Sequence, residues 1–489
     1  MKDRTNTGIG AVERSQEQWN AIEWQYHAKV VRNLRQRIYR ATKQEQWNKV
    51  RSLMKLLLRS NSNLLLSVRK VTQDNTGRET AGVDKKVALT AKARLNLVEE
   101  LADTKLWKAR PARRVYIPKA GGKQRPLGIP TIKNRCVQAI VKNALEPFCE
   151  ARFEPNSYGF RPGRSCHDAI ERCFHWLRGC STHRWVLDAD IKGAFDNLSH
   201  EFILKVLTHL PGRQLIKQWL KAGYVESGVF HATNTGVPQG SIIGPLLANV
   251  ALDGMESLLN REYGFIRYAD DFVITARSSN ALEKLRPSLE KWLSERGLEM
   301  NDEKTRIISV EQGFDFLGFN IKHYQGKCLI RPEKAKVLAL LRSIRQWLSR
   351  HRQVPAAALI RHLNPILNGW ANYYRHAVSK ATFRYVSHEV WRAVWQWCIR
   401  RHPKKRKDWI KRRYFTSLPH KRSWIFTASY RRKDDSVRNM HLTDVGRTPI
   451  RRHIKVRANA SPDDASLRDY WAKRSMNTAR RATSQSPRA

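Results

Sequence analysis

Apolar residues near the N-terminus recur at three- and four-residue steps: Trp19, Ile22, Tyr26, Val30, Leu34 and Ile38, with Arg and Lys on the other faces. That period predicts helix from residue 17 to about 60. A break is expected at Thr72-Gln73-Asp74-Asn75-Thr76-Gly77, with helix resuming over 89–106. The pattern then changes. Arg113-Arg114-Val115-Tyr116-Ile117-Pro118-Lys119, the turn Ala120-Gly121-Gly122-Lys123 and Gln124-Arg125-Pro126-Leu127-Gly128-Ile129-Pro130 read as a basic β-hairpin. Helices are expected at 134–148, 165–180, around 199–223 and at 280–296, with a strand at 184–191, a hairpin centred on 269–271 and short strands over 305–321. This alternation predicts an α+β domain with helices on one face of a mostly antiparallel sheet. From Pro332 the helical period returns in Val337, Leu340, Leu341, Ile344, Trp347 and Leu348, and 364–400 continues it with many aromatics. Beyond about 475 the chain is rich in Ser, Thr, Ala and Arg and reads as disordered.

A chain of 489 residues exceeds what one hydrophobic core usually organises. Charge changes the picture most. Lys and Arg number 91 against 43 Asp and Glu, a formal net charge of +48. A compact body so charged repels itself unless a polyanion covers it. Nucleic acid is the natural polyanion, and 16 Trp and 14 Tyr offer stacking surfaces among the cations. The cluster Lys404, Lys405, Arg406, Lys407, Lys411, Arg412 and Arg413, with Trp409 inside it, suits phosphates and stacked bases. Seven cysteines without a Cys-x-x-Cys pair argue against a disulfide scaffold and fit a reducing compartment. Cys166, Cys173 and Cys180, seven apart, are expected along one helical face as buried or half-buried thiols. His441 and His453 lack metal-ligand spacing and read as ordinary polar residues. No apolar run approaches bilayer length and the N-terminus lacks a signal-peptide core, so the expectation is a soluble intracellular protein without a membrane partner.

The candidate chemistry sits at Tyr268-Ala269-Asp270-Asp271, between Phe265-Ile266-Arg267 and Phe272-Val273-Ile274. Adjacent carboxylates at the tip of an apolar hairpin repel and raise each other's pKa, and a divalent cation such as Mg²⁺ relieves this. A second acidic strand, Trp185-Val186-Leu187-Asp188-Ala189-Asp190-Ile191, lies upstream. If Asp190 meets Asp270 and Asp271, three carboxylates can hold two metals for in-line phosphoryl transfer. Asp188 shares a strand face with Asp190, and spacing alone does not choose between them.

The order of motifs is specific. Arg125-Pro126-Leu127-Gly128-Ile129-Pro130 is followed by Tyr158-Gly159-Phe160-Arg161-Pro162-Gly163-Arg164-Ser165, then Asp190 with Phe195-Asp196. Next come Pro238-Gln239-Gly240, Tyr268-Ala269-Asp270-Asp271, Gly297-Leu298 with Glu303-Lys304-Thr305, and Phe316-Leu317-Gly318-Phe319. The series resembles the reverse transcriptase/maturase encoded by group II introns, densely from about 80 to 335. The stretch from Leu363 to Arg375 resembles that family's thumb, or maturase domain, and the stretch from Thr448 to Val456 resembles its DNA-binding segment. The Cys-rich His-Asn-His endonuclease module of many relatives has no counterpart in this sequence.

The resemblance implies a right-hand polymerase with fingers, an antiparallel palm sheet, a helical N-terminal extension, a helical thumb and a small basic C-terminal segment. On it, 1–75 is the extension, 76–335 fingers and palm, 336–415 thumb, 416–475 the DNA-binding segment and 476–489 the tail. It selects Asp190, Asp270 and Asp271, with the Ile191 carbonyl, as ligands of two Mg²⁺ ions, leaves Asp188 accessory, and casts Lys304 as proton donor to pyrophosphate. Lys119 and Arg125 would grip the deoxynucleoside triphosphate, Phe195 would meet the sugar 2′ position and Gln239 the template–nucleotide pair. Arg161 and Tyr268 would contact nucleic acid. The implied activity is RNA-directed DNA synthesis, with group II intron RNA, a DNA target and a primer as partners, in a bacterial cytoplasmic or organellar ribonucleoprotein. The alternatives are a splicing cofactor with dispensable polymerase activity and a domesticated reverse transcriptase of repair or defence.

Overall fold

The computed structural model describes residues 14–118, 124–417, 424–431 and 434–483. Lys119 and the turn of the basic hairpin lie outside the described residues.

A four-stranded sheet organises the chain. Its strands are β3 (Trp185–Ala189), β6 (Gly264–Tyr268), β7 (Asp271–Ala276) and β8 (Arg306–Ser309), in the order β6-β7-β3-β8 with every pair antiparallel. Side-chain alternation divides two cores. Leu187, Phe265, Phe272 and Ile274 turn to a core built with the N-terminal helices and the helices Ile132–Glu150 and Gly244–Ala251. Val186, Ile266 and Val273 turn to a second core with Phe319, Ile344, Leu363 and Phe383. Both faces are therefore covered, where the sequence predicts helices on one. The same alternation puts Asp188, Asp190 and Asp271 on the second face, toward the C-terminal helices Lys334–Arg350, Ala356–Tyr374 and Lys380–Arg401.

The basic hairpin pairs β1 (Ala112–Pro118) with β2 (Gln124–Ile129), and β4 (Tyr224–Glu226) joins β1 in parallel, with β5 (Val229–His231) at the far edge. Strands β9 (Phe314–Phe316), β10 (Phe319–Tyr324) and β11 (Lys327–Pro332) form a second meander that leads into the C-terminal helices.

The expected helix over 17–60 is broken after residue 20 and again between Trp24–Lys43 and Trp47–Leu58, and a further helix, Asn61–Arg69, follows. Glu45 takes a left-handed φ of 54° between Trp24–Lys43 and Trp47–Leu58, and Ser60 caps the amide of Asn63 before Asn61–Arg69. Tyr26, assigned to the apolar stripe, is exposed, whereas Trp19, Leu34 and Ile38 are buried. Cys180 lies beyond the end of helix Cys166–Leu177 and is exposed, so the three thiols do not share a helical face.

The C-terminal segment does two things. Strands β12 (Phe415–Thr416), β13 (Ile425–Arg431) and β14 (Val437–His441) make a small sheet against the C-terminal helices. The chain then runs back, with one short 3₁₀ helix at Val445–Arg447, as far as the first helices, where the Arg35 guanidinium pairs with Asp463 at 2.7 Å and Glu146 at 2.8 Å. A helix, Arg468–Thr483, follows, so the segment expected to be disordered from 476 is helical to Thr483. Its composition lacks a strong apolar period, but Trp471, upstream in the same helix, anchors it by donating to the Ser461 carbonyl. Among the described residues no helix is long and apolar enough to cross a membrane.

Candidate active site

Tyr268 pairs with Asp271 across the β6–β7 hairpin, leaving Ala269 and Asp270 as its two loop residues. Ala269 has φ 59°, the left-handed conformation that the first position of such a turn requires and that glycine usually supplies. A buried arginine holds it there. Arg267 Nη1 donates to the Ala269 carbonyl and to Asn249 Oδ1, both at 3.1 Å, and Asn249 Nδ2 donates to the Gly159 carbonyl at 2.8 Å. Gly159 lies so near that a Cβ on it would sit 2.3 Å from the Ala269 nitrogen. The motifs around 159, 249 and 268 are thus one supporting unit for the acidic turn. Burial pushes the Arg267 guanidinium down to about 10. Sequence reasoning missed Arg267 and Asn249; the available signal was one arginine in an otherwise apolar strand.

The upstream acid meets this turn. The β3–β7 ladder pairs Ala189 with Phe272, and one further step of that register sets Asp190 across from Asp271. Asp190 Oδ2 accepts from Lys304 Nζ at 2.5 Å and from Asn301 Nδ2 at 3.2 Å. On the Met300 side the ladder bonds come from the Asp190 carbonyl and the Lys192 amide, so the Ile191 carbonyl is turned toward β7. Burial, then the charges of Asp270 and Asp190, push the Asp271 carboxyl up to about 7. Burial also raises Asp188, to about 6, inside the ladder between Val273 and Arg306. Lys304 is raised in turn, chiefly by its hydrogen bond to Asp190.

Crowded carboxylates with a carbonyl beside them are hard oxygen donors and fit a divalent cation. As the side chains lie, Lys304 supplies the counter-charge at Asp190, and among the described residues no three His, Cys, Asp or Glu groups are drawn close enough to hold a metal. Rotation of the Lys304 side chain off Asp190 would free that carboxylate.

Between the basic hairpin and the Pro238-Gln239-Gly240 turn a cleft of about 340 Å³ is lined by Arg114, Tyr116, Gly128, Phe195, Asp196 and Gln239, among others. Arg125 Nε donates to Gln239 Oε1 at 2.7 Å, and Gln239 Nε2 donates to Asp196 Oδ1 at 3.1 Å. The Gly128 amide donates to the Gln239 carbonyl at 2.7 Å, so the Pro238-Gln239-Gly240 turn is tied to the basic hairpin. Phe195 is buried, with its ring edge-on to Phe160 at 6.1 Å.

The family profile "Reverse transcriptase (RNA-dependent DNA polymerase)" matches residues 117–321, preceded by "N-terminal domain of reverse transcriptase" at 19–101 and followed by "Group II intron, maturase-specific domain" at 337–415. Protein YkfC of Escherichia coli K12 is 32% identical over 322 residues, covering 56% of this chain and 83% of its own. The chain belongs to the group II intron reverse transcriptase/maturase family. Its reverse transcriptase domain makes it an RNA-directed DNA polymerase. The group II intron-encoded protein LtrA of Lactococcus lactis is 28% identical over 343 residues, and this chain spans 57% of that relative's length and aligns over 55% of its own. Maturase-like protein 1 of Euglena gracilis is 24% identical over 375 residues, covering 72% of this chain and 77% of its own.

In this reverse transcriptase the Arg161 side chain is turned into the protein interior rather than to the surface expected for a nucleic-acid contact. Its guanidinium is buried, bonded twice to Glu150 at 3.0 Å and to the carbonyls of Glu154 and Ser157. An arginine so desolvated needs its partners, which take four of its five N–H donors. Tyr268 is half-buried against the thumb-side core. Lys404, Lys405, Arg406, Lys407, Trp409, Lys411, Arg412 and Arg413 are all exposed, around the helix Lys407–Tyr414, which packs on the last long thumb helix through buried Ile410 and Tyr414. His453 is not an ordinary surface residue: its Nε2 lies 2.9 Å from buried Asp168, which also accepts from the Val456 amide and Arg474. Asp168 thereby fastens the returning C-terminal chain to the helix Cys166–Leu177.

Proposed function

We propose that this RNA-directed DNA polymerase binds a group II intron RNA, assists its splicing and copies it from a primer at a DNA target. The maturase-specific match supports the splicing role, and the exposed cations on the thumb support the RNA contact. Asp190, Asp270 and Asp271, with the Ile191 carbonyl, would hold two divalent cations, Mg²⁺ being the expected ion. Bound there, these would ease ionisation of the primer 3′-hydroxyl and neutralise charge on the departing pyrophosphate. The observation that carries this reading is the register that sets Asp190 opposite Asp271.

The chain's own residues divide the remaining work. Arg125, steered by Gln239, reaches the triphosphate, with Lys119, six residues earlier in the sequence, as its expected partner in that grip. Asp196 and Gln239 lock the floor of the nucleotide cleft, and Phe195 closes it at the sugar 2′ position. Lys304 holds a proton at Nζ, within reach of Asp190, and would deliver it to pyrophosphate. Asp270→Ala combined with Asp271→Ala should abolish primer extension on an RNA template and leave RNA affinity nearly intact. Persisting extension would refute the assignment.

A further inference from the structure

The helix Lys380–Arg401 and the start of β13 enclose a cleft of about 360 Å³ that the polymerase reaction does not use. Its walls are apolar: Val390, Val394, Phe426 and Leu442. Its mouth is aromatic. The rings of Trp391 and Trp424 meet at 59° with centroids 6.0 Å apart, and Trp395 lies parallel to Trp391, within 3°. All three tryptophans are only half-buried, although they are joined in one cluster. Such a contiguous aromatic face, left open to water, marks a contact surface.

One edge of the cleft is polar. Ser387 donates its hydroxyl to Asp444 Oδ1, the Gly446 amide donates to the same oxygen at 3.0 Å, and Arg447 Nε stands 3.6 Å from Asp444 Oδ2. The rim is cationic. Lys411 Nζ lies 4.5 Å above the Trp424 ring, and Lys407, Arg412 and Arg413 continue an exposed basic surface along the same short helix. A flat π-face, one polar edge and an attached negative charge are the complement of these three features, and a nucleotide has all of them. An apolar peptide helix would meet the cationic rim without compensation.

We propose that this cleft between the thumb and the small C-terminal sheet receives one unstacked nucleobase of an RNA loop, stacked on the Trp391 ring with its edge toward Trp424 and its phosphate on Lys411. RNA is favoured over duplex DNA because loops already present splayed bases, whereas a base in a duplex must first be unpaired and unstacked. The proposal rests on the RNA-binding reading and adds a site to it.

The test uses the full chain and two RNA hairpins, one with 2-aminopurine unpaired in its loop and one with it paired in the stem. Binding should quench the bright loop probe and leave the paired probe, already dimmed by stacking in the stem, unchanged. Trp391→Leu should weaken affinity for the loop RNA about tenfold, the loss of one base–aromatic stack, and Trp391→Phe, which keeps a flat ring, should retain most of it. A loop probe that stays bright at saturating concentrations of the unaltered protein overturns the site without any need for a variant. Unchanged loop affinity in a folded Trp391→Leu protein overturns it too, as does a self-association abolished by that substitution, which would assign the cleft to a second copy. Primer extension by the unaltered chain, measured alongside, reports separately on the polymerase reading.

Discussion

Lys304 Nζ lies 2.5 Å from Asp190 Oδ2, a cation resting on the carboxylate that faces the Asp270–Asp271 turn. This ammonium and a divalent cation compete for the same oxygen. Lys304→Ala should therefore lower the Mg²⁺ concentration that half-saturates primer extension. The same change should reduce kcat by about 10²-fold or more, the usual loss when a general acid is removed. A Mg²⁺ titration of extension rate separates the two effects, and an unchanged kcat would leave Lys304 as a placeholder only.

Asp271 gives a pH signature in protein free of divalent cations. Its carboxyl titrates near 7 in the folded chain, against about 3.9 when unfolded, so the folded state binds the extra proton between these values. Stability then falls as pH rises from about 4 to about 7 and is flat above. Asp271→Asn removes that fall, so its Tm advantage over the parent should grow from pH 5 to pH 8. Added Mg²⁺ should raise the parent's Tm more at pH 8 than at pH 5 and do little for the variant. A pH-independent Tm difference would contradict the crowding described here.

Gly159 and Arg267 support the acidic turn without carrying its chemistry. Gly159→Ala drives a methyl into the Ala269 backbone and should cut kcat about tenfold or more while RNA affinity holds. Arg267→Met leaves the Ala269 carbonyl and Asn249 without a donor, at about 1–3 kcal/mol for each buried group. Urea unfolding with parallel kinetics checks both.

Arg161→Ala should act on stability rather than on RNA binding. It strands the buried Glu150 carboxylate, and breaking such a pair costs about 3–5 kcal/mol. The salt dependence of RNA affinity should not change in the folded fraction. Replacing Lys407, Lys411 and Arg412 by Ala together should reduce that salt slope, because those side chains are exposed.

Much of this architecture was legible because it rests on short-range rules. The apolar runs at 185–189 and on either side of Asp270-Asp271 marked the strands, and the placement of Asp188, Asp190 and the Asp270-Asp271 pair marked the acids. What was not legible depends on contacts distant in sequence. Arg161 reads as a basic surface residue until Glu150 is seen to enclose it, and Arg267 is a lone charge in a strand until Ala269 and Asn249 meet it. His453 looked incidental because its partner, Asp168, lies in another domain of the sequence. The helical breaks at Glu45 and Ser60 were hidden because the apolar period runs through both. The choice between Asp188 and Asp190, open on spacing, gains a physical basis from the ladder: Asp188 is inside it, and Asp190 is at its end beside Lys304.

The convergence of the acids can be tested by replacing Mg²⁺ with Fe²⁺ in the protein bound to a primer–template and generating hydroxyl radicals, which cut the polypeptide near the bound metal. The predicted result is cleavage in two places within one sample, next to Asp190 and next to Asp270–Asp271, both suppressed by excess Mg²⁺ and by Asp190→Asn. Cleavage at one of these places without the other, or at neither, would contradict a shared metal centre.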